Sequence, residues 1–444
     1  VNLFKKIILA IIISITAIPA LAGIEIEITK ALDSAQPIAI VPFKIETRGH
    51  PLPENIADII RNDFARSGEF RPLDVNSFNQ RPSRAQEIDP NYWRGQGVDN
   101  IVVGHVTEIK PGLYKVDVAL VDAFMASQAQ QAGAVIKPTL DRSFDVPAHK
   151  MREFSHFISD LIYQQITGVR GVFSTRIAYV SFDWLPNNRR MYKLEVSDFD
   201  GYNPTTILTS KEPIMSPSWS PDGYKVAYVS FERHRSEIYV ADLRTGRRDL
   251  VSGQPGINGA PAWSPDGTKM ALVLSKEDTP KIHILDLATH RMQQVTDGFS
   301  IDTEPRWYPD SRALVFTSTR GGQPQLYKLN LGDKRVTRLT FEGNYNARGS
   351  ITPDGKRLIM IHRSGNDAYG IAVQDLENNQ LRILTQTRLD ESPSLAPNGR
   401  VIMYGTAENG RRVLGGVSLD GRVKWRVPSR GGELREPAWS SFLN

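Results

Sequence analysis

The chain's eight histidines, at positions 50, 105, 149, 156, 234, 283, 290 and 362, are the first residues to test for chemistry. A helical zinc site of the H-E-x-x-H kind needs two of them four apart, on one helix face, and no pair has that spacing. With no Cys there is no thiolate metal site, Cys nucleophile or disulfide framework. Neither a phosphate-cradling nor a dinucleotide glycine pattern occurs, and no G-x-S-x-G turn raises a serine nucleophile. The residues therefore predict no catalytic set, no cofactor and no metal. A secreted β-propeller hydrolase or lactonase, built from scattered acids and histidines at a channel mouth, stays open as the alternative.

Charge argues in the same direction. The formal net charge is +5, and removing the two lysines of residues 1–22 leaves +3 over more than 400 residues. That is no footprint for nucleic acid. The Arg pairs at 189–190, 247–248 and 411–412 read as solvated loop charges. With 40 % hydrophobic and 23 % charged residues, the chain can bury a large core and is too long for one ordinary domain.

The elements that position any site come from a repeat. Pro-Asp-Gly stands at 221–223 and 265–267, Pro-Asp-Ser at 309–311, Pro-Asp-Gly at 353–355 and Pro-Asn-Gly at 397–399, each 44 residues after the last. Two residues before each proline stands Trp219, Trp263, Trp307, Ile351 or Leu395, and Trp439 follows one period later. Proline pre-sets φ, Asp bonds its own backbone and Gly takes a left-handed position cheaply, so each triplet is a hairpin turn. One acid per turn is too sparse for calcium. Alternating β-rich runs follow every turn, and four short strands per period make a β-propeller blade. Second strands fall at 176–181, 225–230, 269–274, 313–318, 357–362 and 400–405, which predicts six blades. The first has no turn before it, and Glu436–Ser440 has no blade after it. Joining the two closes the ring through the C-terminal strand. The recurring tryptophans then pack between neighbouring blades rather than stacking on sugars.

Upstream, Lys5-Lys6, the apolar run from Ile7 and the Ala20-Leu21-Ala22 triplet form the pattern of a secretory signal peptide, with cleavage between Ala22 and Gly23. Residues 23–166 read as a small α/β domain, with a strand at 37–43, helices at 54–67, 90–96 and 148–166, and paired strands at 101–109 and 113–121. Residues 167–175 link it to a propeller over 176–444. In the first residues after the signal, Ile24, Ile26 and Ile28 alternate with polar residues. Such a segment could join a partner's sheet or form an edge strand of its own domain.

The loops entering the inner strands surround the mouth of a propeller channel. Here they end in Met215-Ser216, Gly259-Ala260, Thr303-Glu304, Ala347-Arg348, Glu391-Ser392 and Arg435-Glu436. Small residues with a few charges suit a protein ligand better than a small apolar one.

The order of these segments resembles the TolB family. The signal, Pro37–Phe43, Thr167–Gly171, Thr175–Val180, Ser216–Gly223, Asn258–Pro261, Thr303–Pro305 and Ser392–Gly399 all look like that family's, across essentially the whole chain. The resemblance implies a monomeric, non-enzymatic periplasmic adaptor of the Tol–Pal system, supporting outer-membrane integrity and constriction during cell division. It implies that the mouth binds the lipoprotein Pal through Gly259, Ala260, Thr303 and Glu304, with Met215, Ser216, Arg348, Glu391 and Ser392 completing the surface. It further implies that the C-terminal domain of TolA engages the N-terminal segment, through Glu25, Ile26, Glu27, Ile28, Asp33 and Ser34. Other outer-membrane lipoproteins are further candidate partners. Ile257 departs from the family, which often has a polar His before Asn-Gly-Ala-Pro.

Overall fold

A computed structural model describes residues 26–28, 35–47, 49–275, 279–365, 368–387, 389–427 and 431–443. The signal segment, with Ala22 and Gly23, lies outside these residues, as do Glu25, Asp33 and Ser34.

The α/β part is a sheet in the order Phe70–Pro72, Gln36–Ile40, Asn100–Lys110, Leu113–Asp122, Leu140–Pro147, parallel on the first side and antiparallel on the second. Helices α1 (Ile56–Ser67) and α4 (Met151–Thr167) cover one face; α2 (Pro90–Gly95) and α3 (Ala123–Gln131) cover the other. Asn55 caps α1 by accepting from the Asp58 N–H, and Gly68 ends it at φ +78°. A side chain at Gly68 would strike Ser418, so the helix end is also a close approach to the propeller. Helix α3 and the strand Leu140–Pro147 are absent from the sequence-based expectation. The strand's burial is irregular and α3 exposes Phe124 and Met125, so neither carries a clean periodic signal.

Six blades follow, five of four strands and the sixth of five, and the expected closure is present. Glu433–Trp439 pairs antiparallel with Arg176–Leu185, making the C-terminal strand the innermost strand of blade one. The expected second strands appear as Arg176–Leu185, Lys225–Ser230, Lys269–Leu274, Ala313–Ser318, Arg357–Arg363 and Val401–Glu408. At the first repeated turn the Gly223 N–H donates to Ser220 O at 3.0 Å and the Tyr224 N–H to Asp222 Oδ1 at 3.0 Å. Trp219 and Trp307 donate from Nε1 to Ala438 O and Ala262 O, each on the preceding blade and each at 2.9 Å. These two indoles thus join blades, as their recurrence predicts, whereas Trp439 donates to Thr175 Oγ1 in the segment entering blade one and Trp263 Nε1 has no hydrogen-bond partner among the described residues.

The Arg pairs correct the expectation of solvated loops. Arg190 lies 4.2 Å over Trp184, Arg248 pairs with Glu232 at 2.8 Å, and Arg412 with Glu391 at 2.6 Å. Each pair lies on or beside a strand, where alternation exposes the first Arg and turns the second onto a neighbour.

The two parts share one core. Phe64, Tyr163 and Phe173 pack in the same cluster as Ile177, Phe199, Val423, Trp425 and Trp439. This seats the α1/α4 face on blades one and six.

Candidate partner-binding surface

Every inner strand carries a β-bulge at the same place. The register shifts between Met215 and Ser218, Gly259 and Ala262, Thr303 and Arg306, Ala347 and Ser350, Glu391 and Ser394, and Arg435 and Ala438. The residue opening each bulge is left-handed: Ser216 (φ +52°), Ala260 (+46°), Glu304 (+54°), Arg348 (+53°), Ser392 (+53°) and Glu436 (+49°). The predicted mouth pairs are therefore not loop ends. They lie within the strands, and the second of each pair is the bulge residue. In five of the six, a proline follows; it has no N–H to give the ladder and is tolerated at a bulge. A left-handed non-glycine costs about 1–2 kcal/mol, and here the surrounding sheets impose it six times.

The bulges are linked to each other across blades. Glu304 accepts from Arg348 Nε at 2.8 Å, from the Arg348 N–H at 3.2 Å and from Thr317 Oγ1 at 2.9 Å. Arg348 goes on to donate to Ser392, and the Ser216 N–H donates to Glu436. Burial works against the charge on Arg348, but Glu304, Glu436 and Glu391 together hold its pKa above the usual value. Blades four, five, six and one thus turn charged residues toward one shared space. Nearby Arg306 goes the other way, lowered by burial and by Arg348.

The predicted residues do not all stand free. Met215 packs on the core between blades two and three, and Glu391 is engaged by Arg412. Thr303 pairs with Thr317 in the ladder. Gly259 faces open space, and a methyl group placed there would meet only Ile257, at 3.8 Å.

Sequence reasoning missed the rim just outside the ring. Pro213, Ile257, Ile301, Tyr345, Leu389 and Glu433 recur at 44-residue spacing, each one residue before a buried residue at or beside the start of an inner strand. The Ser275 and Thr319 N–H groups donate to Ile257 O and Ile301 O, so these residues share a face with the loops after the second strands. On that face Ile257, Ile301 and Leu389 are about half exposed and Phe299 is fully exposed, whereas Phe341 lies beside Arg338 in a groove with Tyr308, Gly355 and Leu376 toward the Pro-Asp-Gly turns. The same period that revealed the blades could have found three of them. Blade two presents Arg233, His234 and Arg235 instead, all exposed.

The N-terminal segment does not lie on the edge of its own domain. Ile26–Ile28 pairs antiparallel with Val423–Arg426, in the register Ile26 with Trp425, Glu27 with Lys424 and Ile28 with Val423. It is an edge strand, but of blade six rather than of its own domain.

One group among the described residues has metal-ligand spacing: Asp63, His156 and Asp200, with ligand atoms within 4.8 Å. Arg66 already stands 3.8 Å from Asp63 and 3.6 Å from Asp200, and a cation there would meet a guanidinium. Among the described residues no helix is long and apolar enough to cross a membrane.

Comparison with known proteins agrees along the whole length. Residues 24–129 match the family model described as the TolB amino-terminal domain, and residues 163–443 that of the TolB beta propeller domain. The chain is 57 % identical over 433 residues to the Tol-Pal system protein TolB of Nitrosococcus oceani, covering 97 % of each. It is 58 % identical over 422 residues to that of Coxiella burnetii, covering 95 % of this chain and 94 % of the relative. The crystal structure of TolB from Acinetobacter baumannii superposes with a TM-score of 0.83 at 41 % identity, covering 94 % of this chain and all of that one. An amino-terminal α/β domain followed by a β-propeller is thus matched by family, sequence and structure, and the chain belongs to the TolB family, the non-enzymatic propeller components of the Tol–Pal system.

Proposed function

We propose that this chain is a periplasmic adaptor that holds two proteins at once, Pal at the propeller mouth and the C-terminal domain of TolA through residues 23–34. In this reading residues 1–22 are removed and the mature chain begins at Gly23. The adaptor supports outer-membrane integrity and constriction during division through these two contacts. The observation that carries the reading is the apolar rim. Phe299, Ile257, Ile301 and Leu389 stand exposed on the mouth face, around a strained ring of small and charged bulge residues. Exposed apolar side chains over a partly polar concavity are what a protein partner buries.

The second contact rests on the edge strand. Blade six is one continuous sheet from Glu391–Leu395 at the channel, through Val401–Glu408 and Arg411–Ser418, to Val423–Arg426 and finally Ile26–Ile28. A partner that pulls Ile26–Ile28 into its own sheet must take it from this edge. A partner on the mouth bears on the same sheet's other edge, and any coupling between them is reciprocal.

The test is calorimetric titration of the full chain with the soluble domain of Pal and with the C-terminal domain of TolA. Both bind under this reading. Phe299→Ser weakens Pal about tenfold or more and leaves TolA unchanged; deleting residues 23–34 abolishes TolA binding and leaves the fold intact. Failure of either protein to bind the unaltered chain overturns that half of the reading.

A further inference from the structure

Away from the mouth, a set of charged side chains is packed where α1 and α4 meet blade one. Asp63 of α1 is fully buried and accepts from Ser159 Oγ at 2.7 Å, with His156 Nδ1 at 2.8 Å. Arg66, one turn along, is the cation already placed between Asp63 and Asp200. Asp198 and Asp200 lie at the end of the strand Arg189–Asp198 and in the turn after it. Arg152 of α4 reaches both, 3.3 Å from Asp198, and lies 3.8 Å over the Tyr202 ring. Glu54, more solvated, is 3.8 Å from Arg152. Asp160, one turn beyond His156, accepts the Phe173 and Ser174 N–H groups at 2.8 and 3.1 Å and so ties down the chain entering blade one.

Counting charge in this space decides the state of His156. If the imidazole is neutral, the cations facing the carboxylates of Asp63, Asp198 and Asp200 are the two guanidiniums of Arg66 and Arg152. One negative charge is then left over where Asp63 and Asp200 are shut off from water and only Asp198 keeps about a quarter of its side chain accessible, and an unpaired charge so placed is costly. A proton on His156 cancels it and makes Nδ1–H a charge-assisted donor to Asp63. Burial resists that proton, yet Asp63 and then Asp200 outweigh burial and the repulsion of Arg152, and the pKa stands above its ordinary value. The remaining atoms cannot take over. Asp63 Oδ1, His156 Nε2 and the Arg66 nitrogens have no hydrogen-bond partner among the described residues. The cluster is held by charge balance, and the proton is part of that balance.

We propose that His156 is a proton-binding site that latches the α/β domain to the propeller: the junction closes around the protonated imidazole and loosens when the proton leaves. The inference does not depend on what the mouth binds. A group that holds its proton more tightly when folded adds stability below its unfolded pKa, ~6.5 for His, and loses it as pH rises through the folded value. The junction is therefore tightest in mildly acidic solution and loosens above neutrality.

The test uses the full chain. The His156 ring is titrated by NMR, and hydrogen exchange in the turn at 198–203 is compared at pH 6.5 and 8.5 after correction for intrinsic rates. The expected result is a His156 midpoint above its ordinary value of ~6.5, with protection of the turn falling by about tenfold for each unit of raised proton affinity. His156→Gln keeps a donor toward Asp63 but cannot titrate, and its protection stays level across this range. Asp160→Asn, which removes a carboxyl titrating lower, leaves the pH 6.5 to 8.5 change in place. A midpoint at or below 6.5, or unchanged protection in the unaltered chain, overturns the proposal. Those two measurements decide it even if the glutamine variant does not fold.

Discussion

Phe299 and Phe199 are the same residue type in the same propeller, and the molecule uses them in opposite ways. Phe299 stands fully exposed on the mouth face. Phe199 is 1 % exposed at the domain junction, with its ring 5.4 Å from His156, 5.7 Å from Phe173 and 6.3 Å from Trp439. The charged pairs beside them differ likewise. Glu304 and Arg348 at the mouth keep a quarter to a third of their side chains accessible, whereas Asp63 and Arg66 at the junction are shut off from water. The mouth keeps open apolar surface and strained backbone; at the junction the apolar surface is already buried between two domains. A change at the mouth should alter binding with little effect on stability, and a change at the junction the reverse.

The largest expected effect tests the junction. Phe199→Ala leaves a cavity in a shared core and lowers stability by about 3–5 kcal/mol, read by denaturant unfolding. A loss below ~1 kcal/mol would mean that the two domains do not stabilise each other through this ring. Next is the acid dependence. Burial, opposed by the hydrogen bonds from Ser174 and Phe173, raises Asp160 to about 6. The folded protein therefore holds this proton more tightly than the unfolded chain, and stability falls as pH rises from ~4 to ~6, by on the order of 2 kcal/mol. Asp160→Asn flattens that slope, and urea unfolding at pH 4, 5 and 6 measures it. At the mouth, Phe299→Ser shifts stability by no more than about 0.5 kcal/mol while weakening the partner there; a larger loss of stability would erase the contrast between the two regions. The smallest effect is Ala260→Gly. Relief of a left-handed alanine, offset by glycine's unfolded-state entropy, gives a gain below ~1 kcal/mol in thermal unfolding. A clear loss would show that the Ala260 methyl contributes packing the bulge needs.

Much of this fold was readable because its signals are local. The Pro-Asp-Gly turns, the alternation after each and the tryptophan two residues before each proline lie within a few residues of one another. A turn of that chemistry forms in much the same way wherever it is placed. The site was less readable. Met215, Thr303 and Glu391 belong to the right strands, but their partners Val229, Thr317 and Arg412 come from other strands, and only pairing says which contacts are made. The bulges were hidden for a related reason. Ser-Pro, Ala-Pro and Glu-Pro are ordinary dipeptides, and their left-handed first residue is imposed by the neighbouring strand.

By itself, then, the sequence determined the number of blades, the way the ring closes and the absence of known catalytic motifs, since period, turn chemistry and motif spacing are properties of short stretches. Only the tertiary structure decided which face offers apolar surface, that Ile26–Ile28 lies on blade six beside Val423–Arg426, and that Asp63 meets His156. Those facts join residues 93 positions apart in one case and nearly the whole chain apart in the other. Hydrophobic burial and charge balance act on whatever the fold brings together, and a linear pattern carries no record of which distant groups will share a space closed to water.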